Sequence, residues 1–169
     1  KNWQKVYRAP YYGVGVSMSD FFNPTEIGFP VSVYGILGIP IVRWQKVSLY
    51  SEFQFGMTSN WKHYDSISNP KNLVIGGGLT VHLNIGFQAF YAISDHFDLG
   101  AGIGFIHFSN GGFERPNRGF NIYAPSVELK YHINERIEMN CVGKSGKLPR
   151  SNDLLIMLGY GDHQLVEHE

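Results

Sequence analysis

The feature that most constrains this chain is an alternation. From Asn72 to Ser94 run 23 residues without Asp, Glu, Lys or Arg, closed off by Lys71 and Asp95. By length alone such a run crosses a membrane as a helix. Its period is two, however. Leu79, Val81, Leu83, Ile85, Phe87, Ala89 and Tyr91 alternate with Thr80, His82, Asn84, Gly86 and Gln88, with Phe90 as the one exception. Only a strand with one apolar and one polar face has that period.

The same pattern recurs along the sequence. Tyr12, Val14, Val16 and Met18 alternate with glycine and serine. Val31, Val33, Leu37 and Ile39 do so less cleanly. Val47, Leu49, Phe53 and Phe55 form a further row, as do Phe97, Leu99, Ala101, Ile103 and Phe105, and then Tyr123, Val127 and Leu129. Leu154 to Tyr160 reads as a last strand. Turn-rich polar stretches separate the rows: Asn23-Pro24-Thr25, Ser66 to Lys71, and Asn110 to Gly119. No convincing helix, heptad or repeat interrupts them, so residues 1–169 read as one all-β, antiparallel, up-and-down domain.

Composition decides which face is wet. Charged residues are 17% and glycines number 20 of 169, where an average soluble domain carries about 25% charge and about 7% Gly. A soluble barrel buries its bulky residues and shows charge outside. Here the polar rows are Gly, Ser, Asn, Thr and Gln, which suit the crowded interior of a narrow barrel, while Leu, Val and Phe rows suit lipid. The expectation is a transmembrane β-barrel of about eight strands. Tyr12, Trp44, Trp61, Tyr91 and Tyr123 near the ends of the rows are expected to form interfacial girdles. Seven strands are evident. The eighth is expected from Arg136–Gly143, from the first ten residues, or from sequence outside a trimmed or incomplete chain, which lacks a terminal aromatic.

Fourteen basic and fourteen acidic residues cancel, so nothing suggests nucleic acid as a partner. The single Cys141 excludes an internal disulfide scaffold. His63, His82, His96, His132, His163 and His168 lack metal-ligand spacing, so neither a metal nor another cofactor is expected. His82 belongs to the polar row and reads as an interior hydrogen-bonding group. Gly76-Gly77-Gly78 has neither the Lys-Ser/Thr nor the strand-to-helix context of a phosphate loop. Lys144, Lys147 and Arg150 read as a solvated loop.

One segment carries chemistry. His107 and Ser109 are i and i+2 on a strand, so they share a face with Cα atoms about 6.6 Å apart. An imidazole spans that gap and can take the proton of a serine hydroxyl, which is a weak nucleophile without such a base. Both continue the apolar odd row of Phe97 to Phe105. A polar pair at the end of a lipid-facing row places a site on the outside of the barrel, at headgroup level. His-x-Ser at the end of a strand is also common where any strand emerges into water, so spacing alone does not decide.

The wider sequence does more. His107-Phe108-Ser109-Asn110-Gly111-Gly112, then Pro116-Asn117 and Gly119, resembles the signature of the PagL family, outer-membrane lipid A 3-O-deacylases built as eight-stranded barrels. The likeness is sharp from His107 to Ile122 and extends more loosely from Tyr12 to Tyr131. It implies Ser109 as nucleophile and His107 as general base. It also implies Asn110 and the Gly112 N–H as oxyanion donors, no cofactor, and lipid A or lipopolysaccharide of the bacterial outer leaflet as substrate. Pairing into a homodimer stays open. The family pattern places Glu where this chain has Asn121. A hairpin symmetric about Arg115 sets Asn121 opposite Ser109, on the same face as the pair, where its amide oxygen can orient His107 without stabilising the imidazolium by charge. Two readings follow: an outer-membrane serine esterase removing a 3-hydroxyacyl chain from lipid A, or a non-catalytic barrel with a structural or lipid-binding role.

Overall fold

The computed structural model describes residues 10–134 and 152–160. Seven strands occupy them: β1 (Tyr11–Met18), β2 (Gly28–Arg43), β3 (Val47–Trp61), β4 (Thr80–Ala92), β5 (Phe97–Ser109), β6 (Phe120–His132) and β7 (Asp153–Gly159). They form one sheet in sequence order, each antiparallel to the next. This is the up-and-down architecture expected, and each of the seven rows read from the sequence is a strand. The candidate eighth-strand segments at Arg136–Gly143 and residues 1–9 lie outside the described residues, as do Cys141, Lys144, Lys147, Arg150, His163 and His168.

The sheet is curled into a barrel wall, because side chains of distant strands meet across its concave side. Tyr11 of β1 donates its hydroxyl to Glu52 of β3. The Lys130 Nζ of β6 stands 4.9 Å from the Tyr11 ring centroid and 3.5 Å from that of Phe90 on β4. The polar rows face this interior. Ser32, Glu52, Gln54, Thr58, His82, Asn84, Gln88, Asp98, Ser126, Glu128, Lys130 and His132 are all buried. The apolar rows face outward, with Val14, Phe55, Ile85, Phe87, Ile103 and Val127 each more than half exposed. A chain that hides Glu and Gln while showing Phe and Ile is arranged for a lipid surround. Phe90, the exception in its row, is explained by its neighbour: a Cβ on Gly100 would lie 2.7 Å from the Phe90 ring, so the bare glycine makes room for the inward aromatic.

The two ends of the barrel differ. At one end, the short-turn end, residues 44–46 and 93–96 make tight connections and residues 133–152 link β6 to β7; at the other, the long-loop end, residues 19–27, 62–79 and 110–119 form loops. Tyr12, Trp44 and Tyr91 stand exposed toward the short end, and Tyr123 toward the long end. Trp61 departs from the expected girdle. It is 6% exposed and packs inward, its Nε1 donating to Thr80 Oγ1 at 3.0 Å. The cause is Asn60, whose φ of 64° breaks the extended backbone and turns the next side chain to the other face. With Ile27, Ile75, Phe108, Phe120 and Ile122, Trp61 makes an apolar plug inside the long-loop end.

The β3–β4 loop is laced to its surroundings. Buried Asn72 donates to Glu26 O (2.9 Å) and Lys62 O (2.7 Å) and accepts from the Val74 and Ile75 N–H groups. Ile75 is fully buried in the plug. Asp65 turns the loop tip by accepting from Ser68 and Ile67 backbone N–H and the Ser68 hydroxyl. Those bonds hold its carboxyl below the usual carboxylate range.

Candidate active site

His107 and Ser109 close β5 at the long-loop end. Alternation along Ile103, Phe105, His107 and Ser109 keeps them on the outward face, while Phe108 between them points into the plug at 2% exposure. Both are part-exposed, on the outer wall rather than in the interior.

The β5–β6 register is His107↔Asn121, Phe105↔Tyr123 and Phe108↔Phe120. The hairpin is therefore centred one residue earlier than its sequence symmetry about Arg115 suggests, and Asn121 faces His107 rather than Ser109. In this register Phe108 and Phe120, both members of the plug, stand opposite each other. A slip of two residues leaves every side chain on its own face, so Asn121 keeps the face anticipated for it.

The geometry that results is short and specific. His107 Nδ1 lies 2.6 Å from Asn121 Oδ1. An amide oxygen only accepts, so Nδ1–H donates and Nε2 is left with a free lone pair. Gly119 lets the ring lie there: a Cβ at 119 would come 3.1 Å from His107 Cε1.

Around Ser109 the loop supplies donors. Its Oγ accepts from the Gly111 N–H at 3.1 Å and from Asn117 Nδ2 at 3.0 Å. Asn117 Oδ1 accepts the Asn110 N–H at 3.4 Å, which orients the carboxamide with its NH2 toward the serine. Asn117 is the residue the sequence does not single out, since it enters there only as part of the signature, without a role of its own. Its Asn type, eight positions after the serine in a Gly-rich loop, was the available signal.

Asn110 and Gly112 are joined to each other. The Gly112 N–H donates to Asn110 Oδ1 at 2.9 Å, and Asn110 Nδ2 donates to Glu114 O at 2.9 Å. Gly111 and Gly112 both take positive φ, 68° and 85°, which makes this tight turn accessible. Among the described residues no group of three or more His, Cys, Asp or Glu side chains is arranged to hold a metal ion.

A family model described as lipid A 3-O-deacylase (PagL) matches residues 1–130, which include every residue of this site. No curated protein and no solved structure matches the chain.

Proposed function

The chain belongs to the PagL family of lipid A 3-O-deacylases, and from that premise we propose that it is an outer-membrane serine esterase removing an ester-linked 3-hydroxyacyl chain from lipid A. The observation that carries the reading is the 2.6 Å contact between His107 Nδ1 and Asn121 Oδ1 on the row that also bears Ser109. It is supported by a substrate whose esters lie at headgroup level, where the outward end of β5 meets the bilayer interface.

Ser109 Oγ–H turns to His107 Nε2 and gives up its proton as Oγ bonds to the acyl carbon. The carbonyl oxygen becomes an oxyanion within reach of the Asn117 amide that already touches Oγ. The Gly112 N–H joins once the oxyanion replaces Asn110 Oδ1 as its acceptor, with Asn110 lending its carboxamide to the same charge. Collapse breaks the bond to the sugar oxygen, which leaves with the proton held on His107. Water then attacks the acyl-enzyme, again through His107, and frees the fatty acid and Ser109. Asn121 fixes the tautomer throughout.

The test is mass spectrometry of lipid A incubated with the detergent-folded protein. Wild-type protein removes one hydroxyacyl mass and Ser109→Ala removes none. Intact lipid A from both proteins rejects the esterase and leaves a barrel with a structural or lipid-binding role, the reading that the replacement of Glu by Asn121 favours.

A further inference from the structure

The sequence holds one motif that neither barrel wall nor catalytic pair uses: Gly76-Gly77-Gly78, in the β3–β4 loop. Its place in the fold is alongside the β5–β6 loop. The Arg118 N–H donates to Leu73 O at 3.4 Å and the Gly119 N–H to Val74 O at 3.2 Å, so residues 73–74 run beside 118–119. Where that pairing ends, two glycines come in. A Cβ on Gly76 would collide with the Pro116 carbonyl oxygen and lie 2.8 Å from Glu114 O and 3.0 Å from Arg115 C. These are backbone atoms, which cannot swing aside. A Cβ on Gly77 would meet the Glu114 side chain first, with its Cδ at 2.8 Å. One on Gly78 would have His63 Nδ1 at 3.7 Å as its nearest neighbour. Gly76 and Gly77 are buried and Gly78 is exposed.

The backbone held against Gly76 leads directly to Asn117, whose amide sits 3.0 Å from Ser109 Oγ. We propose that Gly76 is a positioning residue for the esterase site: its bare backbone seats Glu114–Pro116, and that seating places the Asn117 amide on the nucleophile. The β3–β4 loop is itself fixed, by Ile75 in the plug and by the Asn72 hydrogen bonds, so a methyl group at 76 displaces the β5–β6 loop rather than its own. The proposal rests on the esterase reading for its kinetic part and on loop contact alone for its structural part.

Three loop variants are compared with wild type in the full chain folded in detergent, folding being checked by heat-modifiable gel mobility. Gly76→Ala lowers kcat for lipid A at least about tenfold with KM within about twofold, since a displaced catalytic group costs turnover more than binding. Its effect vanishes in an Asn117→Ala background, because the two act as one unit. Gly78→Ala behaves as wild type. Gly77→Ala loses activity a few-fold, and Glu114→Ala restores it by removing the colliding side chain. That pair keeps the idea testable if Gly76→Ala does not fold. Trypsin supplies a readout free of catalysis: it cuts Arg118–Gly119 faster in Gly76→Ala than in wild type or Gly78→Ala. Wild-type kcat with a wild-type tryptic rate in Gly76→Ala overturns the proposal, as does an equal loss with and without Asn117. If wild-type protein cleaves no lipid ester, the esterase reading fails. The tryptic comparison then judges the seating by itself, upholding it if cleavage is faster and rejecting it if unchanged.

Discussion

An amide oxygen and a carboxylate oxygen accept the same hydrogen bond from an imidazole N–H, and they part company once the ring takes a second proton. Asn121 Oδ1, 2.6 Å from His107 Nδ1, can orient the neutral ring as a carboxylate does but offers no charge to the imidazolium that the proposed attack by Ser109 would form. Asn121→Glu is therefore expected to raise kcat, by roughly tenfold to a hundredfold, and Asn121→Ala to lower it below wild type by freeing the ring. Single-turnover acylation by a fluorophosphonate, followed at Ser109, reads both. A slower Asn121→Glu would mean the amide contact is not what orients the base. Asn117 is separable from this pair. Its amide touches Oγ at 3.0 Å, and Asn117→Ala is expected to cost about a hundredfold in kcat, the usual loss for one oxyanion donor. Unchanged turnover in Asn117→Ala would assign the oxyanion to the Gly112 N–H and Asn110 instead.

β5 shows how one strand serves three environments. Its outward side chains Leu99 and Ile103 are exposed on the outer wall, Gly100 and Gly104 keep the interior backbone low, and Phe108 enters the plug. Ile103 is 53% exposed on the outer wall, so Ile103→Arg is expected to destabilise the folded barrel by about 2–4 kcal/mol, the cost of a cation near the midplane. Phe108→Ala empties a site at 2% exposure and is expected to cost about 3–5 kcal/mol. Denaturant unfolding in lipid vesicles measures both, and a neutral Ile103→Arg would contradict a lipid-facing row. The strands were legible in the sequence because their two faces meet different surroundings and period two records the difference. The ends of the strands were not. Trp61 has the parity of Phe55 and Met57, and nothing local announces that Asn60 turns left-handed and sends it inward. The β5–β6 hairpin departs from loop symmetry by two residues of register, which the composition of the loop does not encode. At the site, the His107 and Ser109 face followed from alternation alone, whereas the Asn117 contact depends on loop path, which composition does not encode.

On the scale of the molecule, the interior is packed along its length by two different chemistries. At the long-loop end Ile27, Trp61, Ile75, Phe108 and Phe120 close the lumen with apolar contacts. Toward the short-turn end, His132 bridges Asp98 and Asp153 at 2.9 and 2.8 Å, and the Lys130 Nζ lies over Phe90. A Cβ on Gly104 would already lie within 3.3 Å of the Asn84 carboxamide carbon. Barrels that conduct keep an aqueous channel through the middle, whereas among the described residues the interior is occupied by Phe, Trp and buried ion pairs. The protein reconstituted in a planar bilayer is therefore expected to show no steady single-channel step, and a reproducible open conductance would mean that the plug moves. The tight connections 44–46 and 93–96 also bear on orientation, although the β6–β7 connection, residues 133–152, is at the same end. Outer-membrane barrels turn short connections to the periplasm, and on that rule loops 19–27, 62–79 and 110–119 are expected on the outside, together with Ser109. Ile67, 91% exposed at the tip of the β3–β4 loop, is a place to test it. An Ile67→Cys variant, made with Cys141→Ser so that one thiol remains, is expected to react with an impermeant maleimide in intact cells. Labelling only after the outer membrane is opened would turn the barrel over, and would take the site away from the outer-leaflet substrate that its outward face is suited to meet.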